Sequence, residues 1–208
     1  MDPSEFELER TQHLLEAVRA DRPGARERLF ARHREYLRQV IRLGLPASLR
    51  PRIDASDIMQ EAQLEAVRRL PDFLETQPIA FHVWLRRIAH DRLVIARRHH
   101  FDADRRAASR EIPLPDRSSL QLAERLLAAG SSPSQHCAQE ELARYVREGL
   151  AQLPESDRAV LLMRTFERLA YDDIAYVLQI DPAAARQRHG RALRRLGRIL
   201  RRRGLSES

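Results

Sequence analysis

Apolar residues recur at helical spacing along most of the chain, and this periodicity constrains the fold more than any other feature. From Glu5 to about Phe101 they lie three or four positions apart, and no strand-like alternation competes. The pattern is interrupted by residues that end helices or occupy their first turn, at Arg22-Pro23-Gly24, Leu45-Pro46 and Leu70-Pro71. The sequence therefore predicts an all-α protein that begins with helices near Glu5–Ala20, Pro23–Leu43, Ala55–Leu70 (capped by Asp54 or Ser56) and Ile79–His99.

The periodicity stops between Asp102 and Ser134, where Pro and Ser are frequent and only Leu120–Ala129 keeps a helical pattern. It returns in four segments: Cys137–Leu153, Glu155–Thr165, Tyr171–Leu178 and Pro182–Arg202. A stretch rich in Pro and Ser between two periodic regions is typical of a linker. We therefore expect two small helical domains, residues 1–101 and 135–208, joined by a flexible linker at 102–134.

A helix-turn-helix is predicted near the end of the chain. Only Gln179-Ile180-Asp181 separates the last two predicted helices, and a short joint of this kind is typical of the motif. Asp181 is suited to cap the last helix, and Pro182 is suited to its first position, where the N–H would have no partner in any case.

The last predicted helix is strongly basic. Between Pro182 and Arg203 the sequence has nine Arg and no acidic residue, and the whole chain has a net charge of +7. Its apolar positions predict an inward face made of Ala185, Ala192, Leu193, Leu196 and Leu200. The residues then expected to project outward are Arg186, Gln187, Arg188 and Arg191, and Ala184 lies in a run of small residues that lets DNA approach. Arg and Gln pair with guanine and adenine in a major groove. A solvated Arg helix without specific contacts is the alternative, but the preceding turn favours DNA binding.

Several classes of protein do not fit the sequence. The single cysteine, Cys137, cannot form an intramolecular disulfide. The sequence contains no run of about 18 apolar residues, which a membrane-spanning helix would need. The N-terminus lacks the pattern of a secretory signal. A cytoplasmic location is therefore expected. No pattern of nucleophile, base and orienting group is present, and no phosphate-binding or dinucleotide-binding glycine motif occurs. We expect no enzyme activity, no metal and no cofactor.

One face of the third predicted helix is polar and acidic. The residues that share this face are Asp57, Gln60, Glu61 and Leu64. The residues of its inward stripe are Ile58, Ala62, Ala66 and Leu70. An outward face of acids and an amide either stays solvated or binds a basic partner.

The fourth predicted helix combines apolar and basic residues. Its expected core residues are Trp84, Leu85, Ile88 and Val94. Its expected exposed residues are Arg86, Arg87, His90, Asp91, Arg97 and Arg98. Aromatic and Arg side chains together suit single-stranded DNA, which offers bases for stacking and phosphates for pairing. Considered alone, Trp84 is either a core residue or a stacking surface.

Two blocks of the sequence resemble bacterial RNA polymerase sigma factors of the small, two-domain extracytoplasmic-function type. The first block, Asp54–Ala62 with Phe81–Asp91, is similar to the family's second conserved region. The second block, Leu153–Arg164 with Phe166-Glu167 and Leu169–Ala175, is similar to the fourth conserved region and runs into the Arg-rich helix. The resemblance implies a subunit that binds core polymerase and directs promoter-specific transcription initiation, with an anti-sigma protein as a candidate partner.

The resemblance also implies roles for the residues named above. It implies that the polar face with Asp57, Gln60, Glu61 and Leu64 docks on the clamp helices of the largest polymerase subunit. It implies that the melted −10 strand is captured by Trp84, Arg86, Arg87, His90, Asp91 and Arg97, and that the −35 duplex is read by Ala184, Arg186, Gln187, Arg188 and Arg191. The sequence departs from the family pattern at Asp91, where many relatives have Asn, and at His189, where an apolar residue is usual.

The alternative function is a stand-alone helix-turn-helix regulator that binds duplex DNA without polymerase. In such a protein the N-terminal helices would serve dimerisation or effector sensing. Tight duplex binding by the protein alone would distinguish it from a sigma factor, which needs core polymerase.

Overall fold

The computed structural model describes residues 3–45, 49–104, 145–146 and 148–202. Within these ranges the chain forms helices and no strand, so the predicted all-α fold is confirmed. The helices are α1 Pro3–Arg19, α2 Ala25–Gly44, α3 Ala55–Thr76, α4 Phe81–Asp104, α5 Glu155–Leu161, α6 Tyr171–Leu178 and α7 Pro182–Arg201. A π-helical turn at Leu162–Phe166 follows α5 directly, and residues 145–146 and 148–151 are also helical.

Parts of the predicted organisation lie outside the described residues. These parts are the linker from residue 105 onward, its short helix Leu120–Ala129, Cys137, and the beginning of the helix predicted at Cys137–Leu153. The chain divides into two compact units, residues 1–42 with 53–105 and residues 43–52 with 106–208. The domain limits at 101 and 135 stay a prediction.

Helix α3 runs through Pro71, so the predicted helix end at Leu70 is wrong. Pro71 has no N–H to donate to the carbonyl of Val67, but Val67 lies at the surface, where water can replace that bond. The continued helix buries Phe73 and ends where Gln77 adopts a left-handed conformation and donates its N–H to the Phe73 carbonyl at 2.8 Å. Burying a phenylalanine stabilises a fold by about 1.5–3 kcal/mol, which offsets the cost of about 3 kcal/mol of an interior proline.

An aromatic cluster joins α2, α3 and α4. The ring centroid of Trp84 lies 4.6 Å from that of Phe73 and 5.4 Å from that of Phe81. From α2, the Phe30 ring lies 6.1 Å and the His33 ring 5.0 Å from Phe81, both edge to face. Rings at these separations stabilise the core beyond the area that they bury. The predicted core role of Trp84 is confirmed, since only 7 % of this residue is exposed.

The predicted helix-turn-helix is confirmed in the second unit. Helix α6 ends where Gln179 turns into the left-handed region, with φ 54°, and α7 begins after Asp181. The Asp181 side chain accepts a hydrogen bond from the Ala184 N–H at 2.8 Å, and Pro182 occupies the first helical position. Both helix-start signals in the sequence therefore act as expected.

Helix α7 packs on the unit through a narrow apolar stripe. Ala185, Ala192 and Leu196 are buried, as predicted, but Leu193 is 43 % exposed, so its assignment to the inward face is wrong. Leu193 follows Ala192 by one residue, and one residue turns a helix by about 100°, which carries the side chain off the stripe.

A buried histidine of the first unit, His33, should make stability depend on pH. Burial, together with the nearby charges of His82 and Arg32, lowers the pKa of His33 to about 4. In the unfolded chain His33 binds a proton with its ordinary pKa of 6.5, whereas in the folded chain it binds one only near pH 4. The free energy of unfolding therefore falls as the pH drops from 6.5 to about 4. Between about pH 7 and pH 5 we expect His33 to lower the free energy of unfolding by about 1–2 kcal/mol.

Denaturant unfolding of the wild type and the His33→Gln variant at several pH values measures this effect. The variant should lose that part of the pH dependence, whatever its stability at neutral pH. The control is His13→Gln, which replaces an exposed histidine on α1. Equal pH dependence in the wild type and His33→Gln would contradict the assignment.

Candidate nucleic-acid interface

The polar face predicted on α3 is on the surface of the first unit. Asp57, Gln60 and Glu61 are exposed and Leu64 is 72 % exposed, so the four predicted residues share one accessible face. The inward stripe is confirmed, because its four members are all buried: Ile58, Ala62, Ala66 and Leu70. Asp54 holds the start of this helix by accepting the Ser56 N–H at 2.8 Å, a hydrogen bond that lowers the pKa of Asp54.

Glu65 organises a cluster of guanidinium groups that the sequence analysis missed. Its carboxylate lies 2.7 Å and 3.1 Å from two nitrogens of Arg68, 2.5 Å from Nε of Arg69 and 3.6 Å from Nη2 of Arg92 on α4. The hydrogen bonds from Arg68 are the main cause of the lowered pKa of Glu65. The spacing of Glu65, Arg68 and Arg69 by three and four residues was the available signal, since such pairs meet on a helix.

Helix α4 is buried on most of its circumference, and this corrects the predicted exposure of two arginines. Arg86 is 2 % exposed and Arg97 is 5 % exposed, whereas Arg98 is exposed as predicted. The reason is that α3 packs along α4 and aromatic rings of α2 contact its first turn, so basic residues between the apolar positions of α4 also lie inside. Long aliphatic stems let arginine take part in such packing.

Three further residues of the predicted −10 surface are partly exposed on α4: Arg87, His90 and Asp91. Burial and the adjacent Arg86 and Arg97 lower the pKa of His90 to about 3, so its imidazole is neutral at physiological pH. Burial raises the pKa of Asp91, although the nearby Arg87, Arg69 and Arg92 act in the opposite direction. The accessible part of this surface therefore carries fewer charges than predicted, because Arg86 and Arg97 are buried and His90 is neutral.

The predicted reading surface of α7 is largely open. Arg186, Gln187 and Arg191 are exposed, while Arg188 and Ala184 are half-buried. These residues lie in the first three turns of the helix, next to the Asp181 cap, where a recognition helix meets base edges.

A tyrosine at the start of α6 supports this surface. The ring of Tyr171 lies under the guanidinium of Arg186 at 5.4 Å and under that of Arg164 at 4.9 Å. Its hydroxyl lies 3.1 Å from Nδ1 of His189. Burial, with a smaller effect from Arg164, lowers the pKa of His189. The histidine that departs from the family pattern thus joins α6 to α7, which local spacing could not reveal because the partners are 18 residues apart.

In the second unit, α5 and α7 are also joined by a charged pair. Nη1 of Arg195 lies 2.5 Å from Oδ2 of Asp157, and Asp157 is almost fully buried. The pair fixes the direction of α7 on the unit, because a buried carboxylate needs a hydrogen-bonded partner. As for membrane insertion, none of the described helices combines the length and apolarity needed to cross a bilayer.

The two parts of the chain match two models of one protein family. The model for Sigma-70 region 2 matches residues 29–102, and the model for Sigma-70, region 4 matches residues 143–196. The first match covers most of α2, all of α3 and α4 up to residue 102, and the second covers α5, α6 and α7 up to Leu196.

Two sequence relatives agree with these matches. An RNA polymerase sigma-H factor of Pseudomonas aeruginosa is 32 % identical over 147 residues, which are 71 % of this chain and 73 % of the relative. An ECF RNA polymerase sigma-E factor of Escherichia coli is 26 % identical over 181 residues, 87 % of this chain and 89 % of the relative.

Two solved structures share the fold. The sigma factor RpoE of Bartonella quintana, solved with the anti-sigma factor NepR, has a TM-score of 0.60 at 15 % identity over 84 % of this chain and 96 % of its own. CnrH, solved with the cytosolic domain of CnrY, has a TM-score of 0.57 at 23 % identity over 90 % and 94 %. Both sigma regions match in order, and named relatives, ECF sigma factors among them, align across most of both chains. The protein therefore belongs to the RNA polymerase sigma factors of the extracytoplasmic-function (ECF) type.

Proposed function

We propose that this sigma factor docks on the clamp helices of the largest polymerase subunit through the α3 face made of Asp57, Gln60, Glu61 and Leu64. The observation that carries this proposal is a row of exposed acids and an amide around a leucine that is 72 % exposed. An apolar side chain inside a charged rim is the usual composition of a protein interface. The acids then supply steering toward a basic partner.

The proposed −10 surface follows α4. Arg87, His90 and Asp91 are the residues that DNA could reach, since their side chains are partly exposed. Trp84, Arg86 and Arg97 belong to the same proposal as positioning residues, because their burial in the unit fixes the helix on which the accessible residues lie. A melted strand offers phosphates to Arg87 and base edges to the polar groups.

The proposed −35 surface is the first half of α7. Arg186, Gln187 and Arg191 would enter the major groove, with Arg188 and Ala184 at its edge. The support for this proposal is local: the helix start is capped, its side chains are exposed, and Arg186 is steadied by the ring of Tyr171. A pre-ordered guanidinium loses less side-chain entropy when it binds.

The remaining parts of the proposal concern partners and location. An anti-sigma protein is a proposed partner, as NepR is for the neighbour from Bartonella quintana. The proposed site of action is the cytoplasm, and the protein is proposed to act by binding alone, without a catalytic group or cofactor.

Reconstitution with sigma-free core polymerase tests the proposed function. Co-elution of the purified protein with core in gel filtration, and new discrete run-off transcripts from genomic promoter fragments, are the expected results. Specific duplex binding by the protein alone, with no association with core, would favour the stand-alone regulator, which the two matched sigma regions do not support.

Charge reversal of Glu61 tests the docking face. Glu61→Arg should weaken core binding by about tenfold or more, because a like charge would face a basic partner. Fluorescence anisotropy with labelled protein and unlabelled core measures this change. The matched control is Glu16→Arg, which makes the same charge change at an exposed position on α1 and should leave the affinity within about twofold. Equal losses in the two variants would exclude a specific role for the face.

Alanine substitution in α7 tests the −35 surface. Holoenzyme with Gln187→Ala should lose about 1–3 kcal/mol of discrimination at one base position. If Arg191 contacts a base, Arg191→Ala should show the same loss of discrimination. If Arg191 contacts a phosphate, the slope of log affinity against log salt concentration should become shallower by about 0.9. Binding to promoter fragments with single base changes, at several salt concentrations, separates these outcomes. Arg201→Ala, at the far end of the same helix, is the control, and a loss equal to the control would contradict the assignment.

A further inference from the structure

A glycine interrupts the reading surface of α7. Gly190 follows Arg186 by four residues and Gln187 by three, and residues at these separations lie on the same side of a helix. Gly190 is itself partly exposed. The row of long polar side chains proposed to read the −35 duplex therefore has a gap at Gly190, where only a hydrogen atom covers the helix backbone.

The fold does not require a glycine at this position. Gly190 lies inside α7 and its φ is not positive, unlike that of Gly24. Among the described residues, a Cβ built on Gly190 would meet only Nη1 of Arg194, at 3.7 Å, which is an ordinary contact distance. At Gly149, by contrast, a Cβ would lie 2.9 Å from Cδ1 of Leu196, so packing excludes a side chain there. Because glycine destabilises a helix relative to alanine, the described part of the unit does not explain Gly190.

The floor and one side of the gap are apolar. The floor is the Cα of Gly190. Leu193, three residues farther along, is 43 % exposed, and side chains on a helix lean toward the preceding turn, which here contains Gly190. The remaining sides are formed by polar residues of the same face: Arg186, Gln187 and Arg194. A group that enters the gap would therefore meet an apolar surface inside a polar rim.

The apolar floor indicates which group of the DNA the gap accepts. Among the groups that base pairs present in the major groove, only the C5-methyl of thymine is apolar, and a polar base atom placed on this floor would lose its hydrogen bond to water. We propose that Gly190 is where the backbone of α7 comes closest to the DNA, and that the gap takes the methyl group of a thymine. This inference rests on the −35 function proposed above, and it makes Gly190 a specificity-determining residue.

Gly190→Ala tests the proposal, because its effects on stability and on binding should have opposite signs. The free protein should unfold at a higher denaturant concentration, since alanine favours the helix and its Cβ has room. The holoenzyme should bind a promoter fragment that supports run-off transcription about tenfold more weakly, since the added methyl fills the gap. Fluorescence anisotropy with a labelled fragment measures the affinity.

Gly197→Ala is the matched control. Gly197 is also partly exposed on α7, and a Cβ there would lie 3.9 Å from two nitrogens of Arg201. It follows Gly190 by seven residues, which is about 10 Å along the helix axis. We expect a similar gain in stability and a promoter affinity within about twofold of the wild type. Equal losses of affinity in the two variants, or wild-type affinity in Gly190→Ala, would overturn the proposal.

Replacement of thymine by deoxyuridine identifies the group in the gap. Each thymine of the −35 region, on either strand, is replaced singly, which removes the methyl and keeps the hydrogen-bonding atoms. One replacement should weaken binding by the wild-type holoenzyme by about three- to fivefold, the effect of one buried methyl group. The same replacement should leave the affinity of the Gly190→Ala holoenzyme unchanged. No effect of any replacement on the wild type, or equal effects on the two proteins, would contradict the assignment.

The Gln187→Ala holoenzyme separates the role of Gly190 from the −35 function on which it rests. If Gln187→Ala loses base discrimination while Gly190→Ala binds like the wild type, the −35 surface stands and the role of Gly190 is excluded. If neither variant changes promoter binding, both proposals are excluded.

Discussion

The close packing around α4 is the constraint on which the first unit depends. Trp84 and Phe81 lie in an aromatic cluster with side chains of α2 and α3, and the helix has few positions left that face water. Because interiors are packed to the density of organic crystals, a helix in this position cannot rotate to present another face. This core therefore sets the direction of every accessible group on α4. It also sets the direction of the exposed α3 face, because α3 packs against α4.

Buried carboxylates fix the positions of arginine side chains, as the apolar core fixes the direction of α4. In the described part of each unit a nearly buried acid contacts an arginine on a neighbouring helix: Glu65 contacts Arg92, and Asp157 contacts Arg195. A buried carboxylate that lost its partner would cost several kcal/mol, so these pairs specify how the helices meet. In a chain whose basic residues are all arginine, the planar guanidinium also leaves donors free for phosphate or carboxylate ligands. The same side chains can thus order the fold and serve a binding surface.

Function in this sigma factor is a matter of surface composition, because each proposed contact uses a different kind of surface. The α3 face is acidic with one exposed leucine, whereas the start of α7 is basic and polar. The first composition suits a basic protein, and the second suits the major groove of DNA.

The sequence by itself determined the helices, the caps and the motif. Periodicity and capping residues are local properties, so the all-α fold, the Asp181 cap, the short turn of the helix-turn-helix and the inward stripe of α3 could be predicted. The tertiary structure alone decided the burial of Arg86 and Arg97, the passage of α3 through Pro71 and the Tyr171–His189 contact. Each of these depends on residues far apart in sequence. A helical pattern shows which side of a helix is apolar, but the number of neighbours that cover it is a property of the whole fold.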